Sequence, residues 1–468
     1  MPKNWSGSGP DLHLEIDPGD GRRAGLERAL RRAVRDGRLA PGTRLPSTRA
    51  LAEELGLSRG TVTAAYDQLA AEGYLTARPS SGTVVADLSG RTVDAVTPAA
   101  AEAAPRHDLR PGLPDLTAFP ARAWLRSTRR VLLEAPPAAI HGHSDPQGRI
   151  ELRTALAAHL GRTRGVLATP DRIVITSGFY QSISLLAQVL KEGGTRTVAM
   201  EDPGHELYRE VVRRAGPAVV PLPVDELGAQ VDGCPAEAVV VTPAHQYPTG
   251  VPLHPRRRQA LRDWARRSGG LIVEDDYDGE FRYDRRPVGA LQGIAPDHVA
   301  YCGSASKALG PALRLGWTVL PRELVGPVVE AKSRADLYTE TLGQLVLADL
   351  ITGHDYDRHV RAARVKYRRR RELLIRRLGP GADLRGVPAG LHALLTLPDD
   401  GPGETEVLAR CERRGIALRG LADLWHRPDG RMQGLLIGYA APPEHAYPAA
   451  LEALAEVLGT PSGRLAGG

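Results

Sequence analysis

Apolar residues recur at helical spacing near the start of the chain. Over residues 26–37 they fall on one helical face, at Leu26, Leu30, Ala33 and Val34. Gly37 then supplies a stop signal of the kind that follows a helix. Arginines cover the other side, which is the usual composition of a solvated face. The pattern predicts an amphipathic helix packed into a small domain.

Two shorter helical patterns follow, and each begins at a serine. Ser47 is placed to cap a helix that carries Leu51 and Leu55 inward. After a tight turn at Gly56, Ser58 is placed to cap a second helix. The inward positions of that second helix are Val62, Ala65, Tyr66 and Leu69. This is the pattern of a helix-turn-helix, whose second helix presents its N-terminal residues to the major groove of DNA.

Two short strands are predicted next, at residues 73–78 and 83–86, around a Pro-Ser-Ser-Gly turn. They would form a β-wing, although a generic helix pair with a hairpin would have the same spacing. Residues 1–90 carry 12 basic and 11 acidic residues. Affinity for DNA would therefore depend on a few placed arginines and on dimerisation, and it would fall steeply with salt.

Residues 89–107 are rich in Ala, Pro and Thr and lack apolar periodicity, which is typical of a linker. We therefore predict a DNA-binding domain at 12–88, a linker at 89–107 and a second, larger domain at 108–468.

Within the larger domain, residues 171–190 predict a strand, a Ser-Gly turn and a helix. Backbone N–H groups at the start of such a helix can hold a phosphate. Ser177, Gly178 and Phe179 are the candidate contacts, although any strand-to-helix turn has this form. Further along, residues 356–378 predict a long basic helix, by default a solvated face and alternatively a surface that follows DNA. Strands at 390–397 and 434–439 predict a smaller subdomain.

Composition narrows the class of protein. A length of 468 residues suits two or three domains, and a net charge of +6 is too mild for a polybasic nucleic-acid coat. The three cysteines (Cys234, Cys302 and Cys411) are odd in number and scattered, which argues against a disulfide framework or a metal site. We find no 18-residue apolar run and no signal-peptide pattern, so we expect a cytoplasmic protein without membrane contact.

Lysine is scarce, and its positions point to chemistry. Only five of the 61 basic residues are lysine, and one of them, Lys307, lies in Ser-Ala-Ser-Lys. A partly buried lysine can lose its proton and act as a nucleophile, whereas arginine cannot. Ser304 and Ser306 precede Lys307 and Arg314 follows it. Two hydroxyls and a guanidinium would suit a phosphate beside a Schiff base.

An apolar run at residues 271–273 leads into carboxylates and an aromatic residue. At the end of a buried strand, Asp275 could protonate a pyridine nitrogen, and Tyr277 could hold a phenolic oxygen. These are the partners that a pyridoxal 5'-phosphate (PLP) Schiff base requires. A surface acidic loop and an unrelated lysine are the alternative.

Taken together, EDDYDGEF, SASK and PALRLGW resemble the fold-type I aminotransferase domain of the MocR subgroup of GntR-family regulators. PGTRLPSTRALAEELGLSRGTV likewise resembles the winged-helix domain of GntR regulators. The resemblance implies a multidomain fold: a mainly α winged helix-turn-helix followed by an α/β PLP-dependent transferase fold with large and small subdomains. The DNA contacts that it implies are Ser47, Arg49, Ser58, Arg59, Thr61, Thr63, Arg78 and Gly82.

The same resemblance implies PLP bound as an aldimine to Lys307. The implied cofactor contacts are Asp275, Tyr277, Ser177, Gly178, Phe179, Ser304, Ser306 and Arg314. In the loop TPAHQYPTG, either His245 or Gln246 would contact the phenolic oxygen of the cofactor.

Three positions depart from the family pattern. His143 stands where a tyrosine usually reaches the phosphate of the partner subunit, and His205 stands where an aromatic usually faces the pyridine ring, with Tyr208 as the alternative. Leu436 occupies the usual place of the arginine that clamps a substrate carboxylate. The predicted replacement is Arg431, with Arg427 as the second choice.

Two functions compete. One is a transcriptional regulator that senses PLP, an amine or an amino acid through Lys307. We expect it to bind operator DNA as a head-to-tail homodimer. The alternative is a working aminotransferase with an accessory DNA-binding domain. The set Lys307, Asp275 and Tyr277 permits both, and the three departures favour the regulator.

Overall fold

The computed structural model describes residues 21–78, 82–87, 105–283 and 288–459. The chain divides into two compact units, Met1–Ala103 and Ala104–Gly468. Among the described residues, no helix is both long and apolar enough to cross a membrane. Most of the predicted linker, residues 89–104, lies outside the described residues.

The first unit is mainly helical. Its elements are α1 (Arg22–Arg35), α2 (Thr48–Leu55), α3 (Arg59–Ala71), β1 (Leu75–Arg78) and β2 (Gly82–Val85). The apolar face predicted for the first helix is buried and packs against α3 and the strands. This unit therefore has its own core, as predicted from the periodicity.

Serine side chains begin both helices of the helix-turn-helix. The hydroxyl of Ser47 accepts a hydrogen bond from the Ala50 amide at 3.2 Å, and that of Ser58 accepts one from the Thr61 amide at 3.1 Å. Each satisfies an amide that would otherwise lack a partner in the first helical turn. Gly56 ends α2 with φ of +63°, a conformation that favours glycine.

The wing contains more than the predicted hairpin. β1 and β2 pair antiparallel, from Leu75 opposite Val85 to Arg78 opposite Gly82. On the other edge of β2, Arg44 forms a bridge with Val84. The segment before α2 thus adds a third short stretch to the wing.

The second unit is an α/β fold with a large and a small sheet. Its elements are, in chain order, β3 (His107–Asp108), α4 (Ala121–Glu134), α5 (Pro137–His141), α6 (Ile150–Arg164), β4 (Ile173–Thr176), α7 (Phe179–Glu192), β5 (Thr197–Asp202), α8 (Glu206–Ala215), β6 (Ala218–Asp225), β7 (Gly228–Ala229), β8 (Ala238–Val241), α9 (Pro255–Ser268), β9 (Leu271–Asp275), β10 (Val299–Ser304), β11 (Gly316–Val319), α10 (Arg322–Asp336), α11 (Thr341–Thr352), α12 (Asp355–Leu378), β12 (Leu384–Arg385), β13 (His392–Thr396), α13 (Glu404–Arg413), β14 (Ile416–Ala417), β15 (Arg419–Gly420), β16 (Gly434–Gly438) and α14 (Tyr447–Val457).

The large sheet has eight strands in the order β4-β11-β10-β9-β8-β5-β6-β7. The central pairs β10–β9, β9–β8, β8–β5 and β5–β6 are parallel. Apolar side chains cover both faces: Val240 and Val273 pack towards α7, α8 and α10, whereas Val239 and Ile272 pack towards α9. A parallel sheet buried on both faces reads as continuous apolar runs, as these strands do.

The small sheet has the order β12-β13-β16-β15, and its pairs are antiparallel.

The long basic helix α12 is not only a solvated face. Arg370 and Arg377 are buried; Arg370 donates to the Ala440 carbonyl at 2.7 Å, and Arg377 pairs with Glu452. These contacts tie α12 to the C-terminal segment. The predicted combination of a mainly helical unit and a fold-type I α/β unit is confirmed.

Candidate functional site

A cavity opens at the carboxyl ends of the parallel strands, where ligands bind in open α/β sheets. β5 contributes Glu201, β9 contributes Asp275, and the segment after β10 contributes Lys307. The small sheet closes the other side with His392 and Arg419. Residues distant in sequence therefore meet between the two sheets of the second unit.

Lys307 points into this cavity. Its Nζ donates a hydrogen bond to the Gly112 carbonyl at 2.5 Å. Burial lowers the pKa of the amine, and the nearby carboxylates of Asp278 and Asp275 oppose that shift. A lowered pKa increases the fraction of the neutral amine, which is the nucleophilic form.

Asp275 ends β9 with 7% of its surface exposed. Burial raises the pKa of its carboxyl well above the ordinary value, and the charge of Asp276 adds to the shift, while Lys307 opposes it. No described residue donates a hydrogen bond to this carboxylate. A ligand N–H group that did so would stabilise its ionised form.

Asp276, the other acid in reach by sequence, is held elsewhere. Its carboxylate forms a buried bidentate pair with Arg164, at 2.6 and 2.9 Å, and accepts a hydrogen bond from the Tyr301 hydroxyl at 2.7 Å. Asp276 does not line the cavity, so Asp275 is the carboxylate that the strand end presents there.

Tyr277 lines the cavity and is supported from behind by His245. The Tyr277 hydroxyl donates to the His245 carbonyl at 3.0 Å and lies 3.0 Å from His245 Nδ1. The same Nδ1 lies 2.8 Å from Asp278 Oδ2. His245 is thus in contact with Tyr277 but is not among the residues that line the cavity.

Gln246 is hydrogen-bonded both within its own loop and to the segment that follows β5. Its Nε2 donates to the carbonyls of Pro203 at 2.9 Å and Tyr247 at 2.6 Å, and its Oε1 accepts from Thr249. The next residue, Tyr247, does line the cavity. His245 contacts Tyr277 and Gln246 contacts Glu201, both of which line the cavity, so which of the two sequence candidates contacts the cofactor stays a prediction.

The candidate phosphate contacts converge at one sheet end. Gly178 precedes α7 with φ of +105°, and a Cβ there would lie 3.7 Å from the guanidinium of Arg314. Gly316 pairs with both Thr176 and Ser304, which brings the turn at residues 177–179 beside the end of β10. A Cβ on Gly316 would lie 2.6 Å from Gly178 Cα, so this approach requires glycine.

The remaining members of that set are close by in the fold. Ser304 ends β10 and lines a small void together with Lys307. Ser306 immediately precedes Lys307 and is half-buried. The Ser177 amide donates to Gln181 Oε1 at 2.8 Å, so this one amide already has a partner.

Aromatic rings form one wall of the cavity. His205 lies with its ring centroid 4.3 Å from that of Tyr208 and stacks at 5.5 Å on Tyr247. Burial lowers the pKa of His205 to about 4, which keeps the ring neutral at physiological pH. Both sequence candidates for a ring contact, His205 and Tyr208, line the cavity, and Phe179 packs against Tyr208.

Arg431 is not at this cavity. It is exposed, and its guanidinium lies over the ring of Trp425 at 5.3 Å. Arg427 is also exposed. Two arginines of the described residues line the cavity: Arg209 of α8, and Arg419, which β15 sets opposite Leu436 of β16. The carboxylate contact predicted for Arg431 stays a prediction, and Arg419 is the arginine that the small sheet presents to the cavity.

Sequence reasoning also missed Glu201. This fully buried carboxyl lines the cavity, accepts hydrogen bonds from the Thr242 amide and hydroxyl at 3.1 and 2.5 Å, and has its pKa raised to about 7 by burial. A glutamate after an apolar run was the available signal. His392 was likewise missed, because its contact with the cavity depends on the position of the small sheet.

His143 is exposed and lies outside the cavity. Its ring meets that of Tyr338 edge-on, with centroids 6.3 Å apart. The contact predicted for it, to the phosphate of a partner subunit, stays a prediction.

The first unit carries the predicted DNA contacts on the start of α3 and around it. Arg49, Arg59 and Thr63 are exposed, and neither arginine forms an ion pair with a described residue. The hydroxyls of Ser58 and Thr61 are 2.8 Å apart, so each uses part of its hydrogen-bonding capacity within the helix cap. These positions share the accessible surface that a recognition helix needs.

Of the two DNA contacts predicted in the wing, Gly82 lies within the described residues. Gly82 is exposed with φ of +81°, and a Cβ there would lie 3.4 Å from the guanidinium of Arg44. Arg44 was not predicted, because its bridge to Val84 is a tertiary contact. The side chain of Arg78 lies outside the described residues.

The cavity fits PLP in its chemistry. Besides the amine of Lys307 and the unpaired carboxylate of Asp275, it contains two buried nitrogens without a hydrogen-bond partner among the described residues, His205 Nδ1 and His392 Nε2. Leaving such groups unsatisfied costs about 1–3 kcal/mol each, so a polar ligand that pairs with them would stabilise the fold. The glycine turn at Gly178 lies beside the guanidinium of Arg314, and anions bind to such combinations of backbone N–H groups and a guanidinium.

Two family descriptions match the chain. Residues 113–404 match "Aminotransferase class I and II", and residues 23–85 match "Bacterial regulatory proteins, gntR family". The two matches fall in the two separate units of the structure.

Curated relatives share both parts. The HTH-type pyridoxine biosynthesis transcriptional regulator PdxR of Corynebacterium glutamicum is 33% identical over 430 residues, covering 89% of this chain and 91% of the relative. The probable rhizopine catabolism regulatory protein MocR of Rhizobium meliloti is 32% identical over 445 residues, with 89% of each chain covered. Among solved structures, Pyrococcus horikoshii kynurenine aminotransferase matches with a TM-score of 0.68 and 25% identity, over 75% of this chain and 90% of that one.

Proposed function

The chain belongs to the MocR subgroup of the GntR-family transcriptional regulators, and from that premise we propose that it controls transcription in response to PLP, or to an amine or amino acid that reacts with PLP, at Lys307. The observation that carries the proposal is the meeting of Lys307, Asp275 and Tyr277 around one cavity, in a chain whose other unit is a helix-turn-helix.

PLP is the cofactor of the second unit, and when bound it supplies an aldehyde that condenses with an amine, with loss of water, and a ring that withdraws electrons. Lys307 would provide the amine and Asp275 would hold a proton on the ring nitrogen. Tyr277 would donate to the phenolic oxygen by turning its one hydroxyl proton away from the His245 carbonyl, which accepts it in this structure. The neutral ring of His205 would cover one face of the cofactor.

Regulation requires that the ligand bind two states of the protein with different affinity. A PLP or amine ligand held between the large and small sheets can meet this condition, because both sheets contribute to the cavity. The proposed active species is a head-to-tail homodimer that binds operator DNA through α3 and the wing. Sedimentation of the PLP-loaded protein as a monomer would contradict the dimer.

A working aminotransferase is the second candidate, favoured by the same three residues. Against it stands the apolar Leu436 at the position that usually carries the carboxylate-binding arginine, buried among Leu394, Leu421 and Leu424. Of the two arginines that line the cavity, Arg209 donates to main-chain carbonyls and Arg419 of β15 is paired with Glu206. The site supports cofactor binding more directly than it supports turnover.

The test compares Lys307→Ala with Lys191→Ala, an exposed lysine at the end of α7 that serves as the matched control. Borohydride treatment of the PLP-loaded wild type and control should leave a pyridoxyl group on the peptide that contains Lys307, and Lys307→Ala should show none. Operator affinity, measured by titration with and without PLP and then with a panel of amines, should respond in the wild type and the control only.

The outcomes separate the two functions. Lys307→Ala should fold and bind the operator while its affinity ignores PLP and every amine. Wild-type operator affinity that ignores all of these ligands, together with steady-state transamination of an amino donor, would replace the regulator by the enzyme. A wild type that takes up no PLP would refute both.

A further inference from the structure

An ion pair at the cavity edge joins the small sheet to helix α8. Arg419, in β15 of the small sheet, donates from Nη2 to Oε1 of Glu206, the first residue of α8. Burial opposes ionisation of Glu206, but the hydrogen bond and charge of Arg419 outweigh it, so the pKa of Glu206 is lowered. The carboxylate therefore stays charged and stays on Arg419 at neutral pH.

The other guanidinium of the described cavity lining is committed elsewhere. Arg209 is buried and donates to the carbonyls of Gly204 at 3.1 Å and Leu424 at 2.7 Å. Its second terminal nitrogen donates to the carbonyls of Asp423 and Trp425, both at 3.3 Å. With its donors occupied by main-chain oxygens, Arg209 offers little to a ligand. An incoming carboxylate would therefore have to bind Arg419.

The Glu206 carboxylate is only half satisfied where it lies. Its Oε2 is buried without a hydrogen-bond partner among the described residues. That oxygen lies 3.7 Å from Nδ1 of His205, which is also unpartnered. Glu206 thus binds Arg419 through one carboxylate oxygen, and its other oxygen has no hydrogen-bond partner among the described residues. A ligand carboxylate with both oxygens hydrogen-bonded could replace it.

We propose that Glu206 is a specificity-determining residue: it competes internally for Arg419 and makes the site select amines without a carboxylate over α-amino acids. The inference rests on the proposed function, since it concerns ligands of the same cavity. An amino acid must first displace Glu206, so its apparent affinity is reduced by the fraction of molecules in which Arg419 is free. An amine without a carboxylate does not meet this cost.

The test uses two ligands that differ by the carboxylate alone, L-alanine and ethylamine. Half-saturating concentrations are read from the change in the visible spectrum of the PLP-loaded protein, which is an equilibrium binding signal. Glu206→Gln keeps the size of the side chain and removes its charge. It should lower the half-saturating concentration of alanine up to about fivefold, the effect of one modest competing ion pair, and leave that of ethylamine unchanged within about 1.5-fold.

Two further variants guard against a general effect. Glu210→Gln, one turn along α8 and paired with Arg214, is the matched control and should change neither ligand. Adding Arg419→Gln to Glu206→Gln should remove the gain for alanine, because the guanidinium that would bind the alanine carboxylate is then absent. Normal PLP loading shows that each variant is folded.

A second measurement needs no cofactor. Titration calorimetry of propionate into the PLP-free protein should show tighter binding to Glu206→Gln than to the wild type, and no gain for Glu210→Gln. If Glu206→Gln binds propionate more tightly than the wild type but the protein takes up no PLP, the inference stands and the proposed function is overturned. Equal shifts for alanine and ethylamine, or no shift for alanine and propionate, would overturn the inference and leave the proposed function standing.

Discussion

At the scale of single residues, the neighbouring acids Asp275 and Asp276 differ in what they contact. Asp275 faces the cavity with no donor of its own, whereas Asp276 is bound by Arg164 and Tyr301. The order of residues in Glu-Asp-Asp does not distinguish them. Their orientation at the end of β9 does, because successive side chains of a strand point to opposite sides.

The first prediction concerns Asp275→Asn. The amide cannot hold a proton on the ring nitrogen, so the variant should fold, bind PLP more weakly and show a changed visible spectrum. The measurement is PLP titration followed by absorbance. Asp297→Asn, with a side chain 78% exposed, is the control and should match the wild type. Unchanged affinity and spectrum in Asp275→Asn would mean that another acid serves the ring.

The second prediction concerns the buried Glu201, whose pKa is raised from 4.5 to about 7 by burial. Between these two pH values the folded chain holds a proton that the unfolded chain has lost. The free energy of unfolding therefore falls as pH rises through this window, by about 3 kcal/mol once pH exceeds the folded pKa.

Glu201→Gln removes this pH-dependent loss of stability. The difference in Tm, variant minus wild type, should therefore be more positive at pH 8 than at pH 5. Glu237→Gln is the control. The pKa of Glu237 is lowered by its hydrogen bond to the Thr197 amide, so its contribution is complete at both pH values. A Tm difference for Glu201→Gln that is the same at pH 5 and pH 8 would show that Glu201 does not titrate in this range.

At the scale of elements, α3 offers its first turn to solvent and packs its other face into the core. Arg59 is its first residue, and Arg49 lies in α2. Both are exposed, while Val62 and Leu69 are buried. The third prediction is that Arg59→Ala or Arg49→Ala costs about 1–3 kcal/mol of operator binding if the arginine contacts a base.

The operator can be found by footprinting upstream of the protein's own gene. A phosphate contact would give a different signature, since it would weaken all DNA sequences alike and reduce the slope of affinity against salt. Arg23→Ala, on α1 and paired with Glu27, is the control. Operator affinity unchanged in both arginine variants would mean that this unit does not read the DNA.

At the scale of the whole molecule, the two units have separate cores and separate sites. The fourth prediction follows from this separation: Arg59→Ala should lose operator affinity and keep PLP uptake, whereas Lys307→Ala should do the reverse. Both are measured on the full chain, by operator titration and by PLP absorbance. Loss of PLP uptake in Arg59→Ala would show that the units do not function separately.

Local signals in the sequence determined much of this protein. Helix caps at Ser47 and Ser58 involve residues only three apart, so they could be predicted without the fold. The strand that ends in Asp275 and the segment that contains Lys307 could be recognised because PLP needs those residue types, and because their motifs resemble those of a known family. The resemblance implied the fold class, which was confirmed.

Only the tertiary structure decided which side chains share the cavity. Arg419 reaches it because β15 pairs with β16 in one register, while Arg431, nearer in sequence to the usual arginine position, packs on Trp425 instead. His245 contacts Tyr277, and Gln246 donates both within its loop and to the distant Pro203 carbonyl. Strand register and burial depend on contacts between distant residues, and neither can be read from the spacing of residues along one segment.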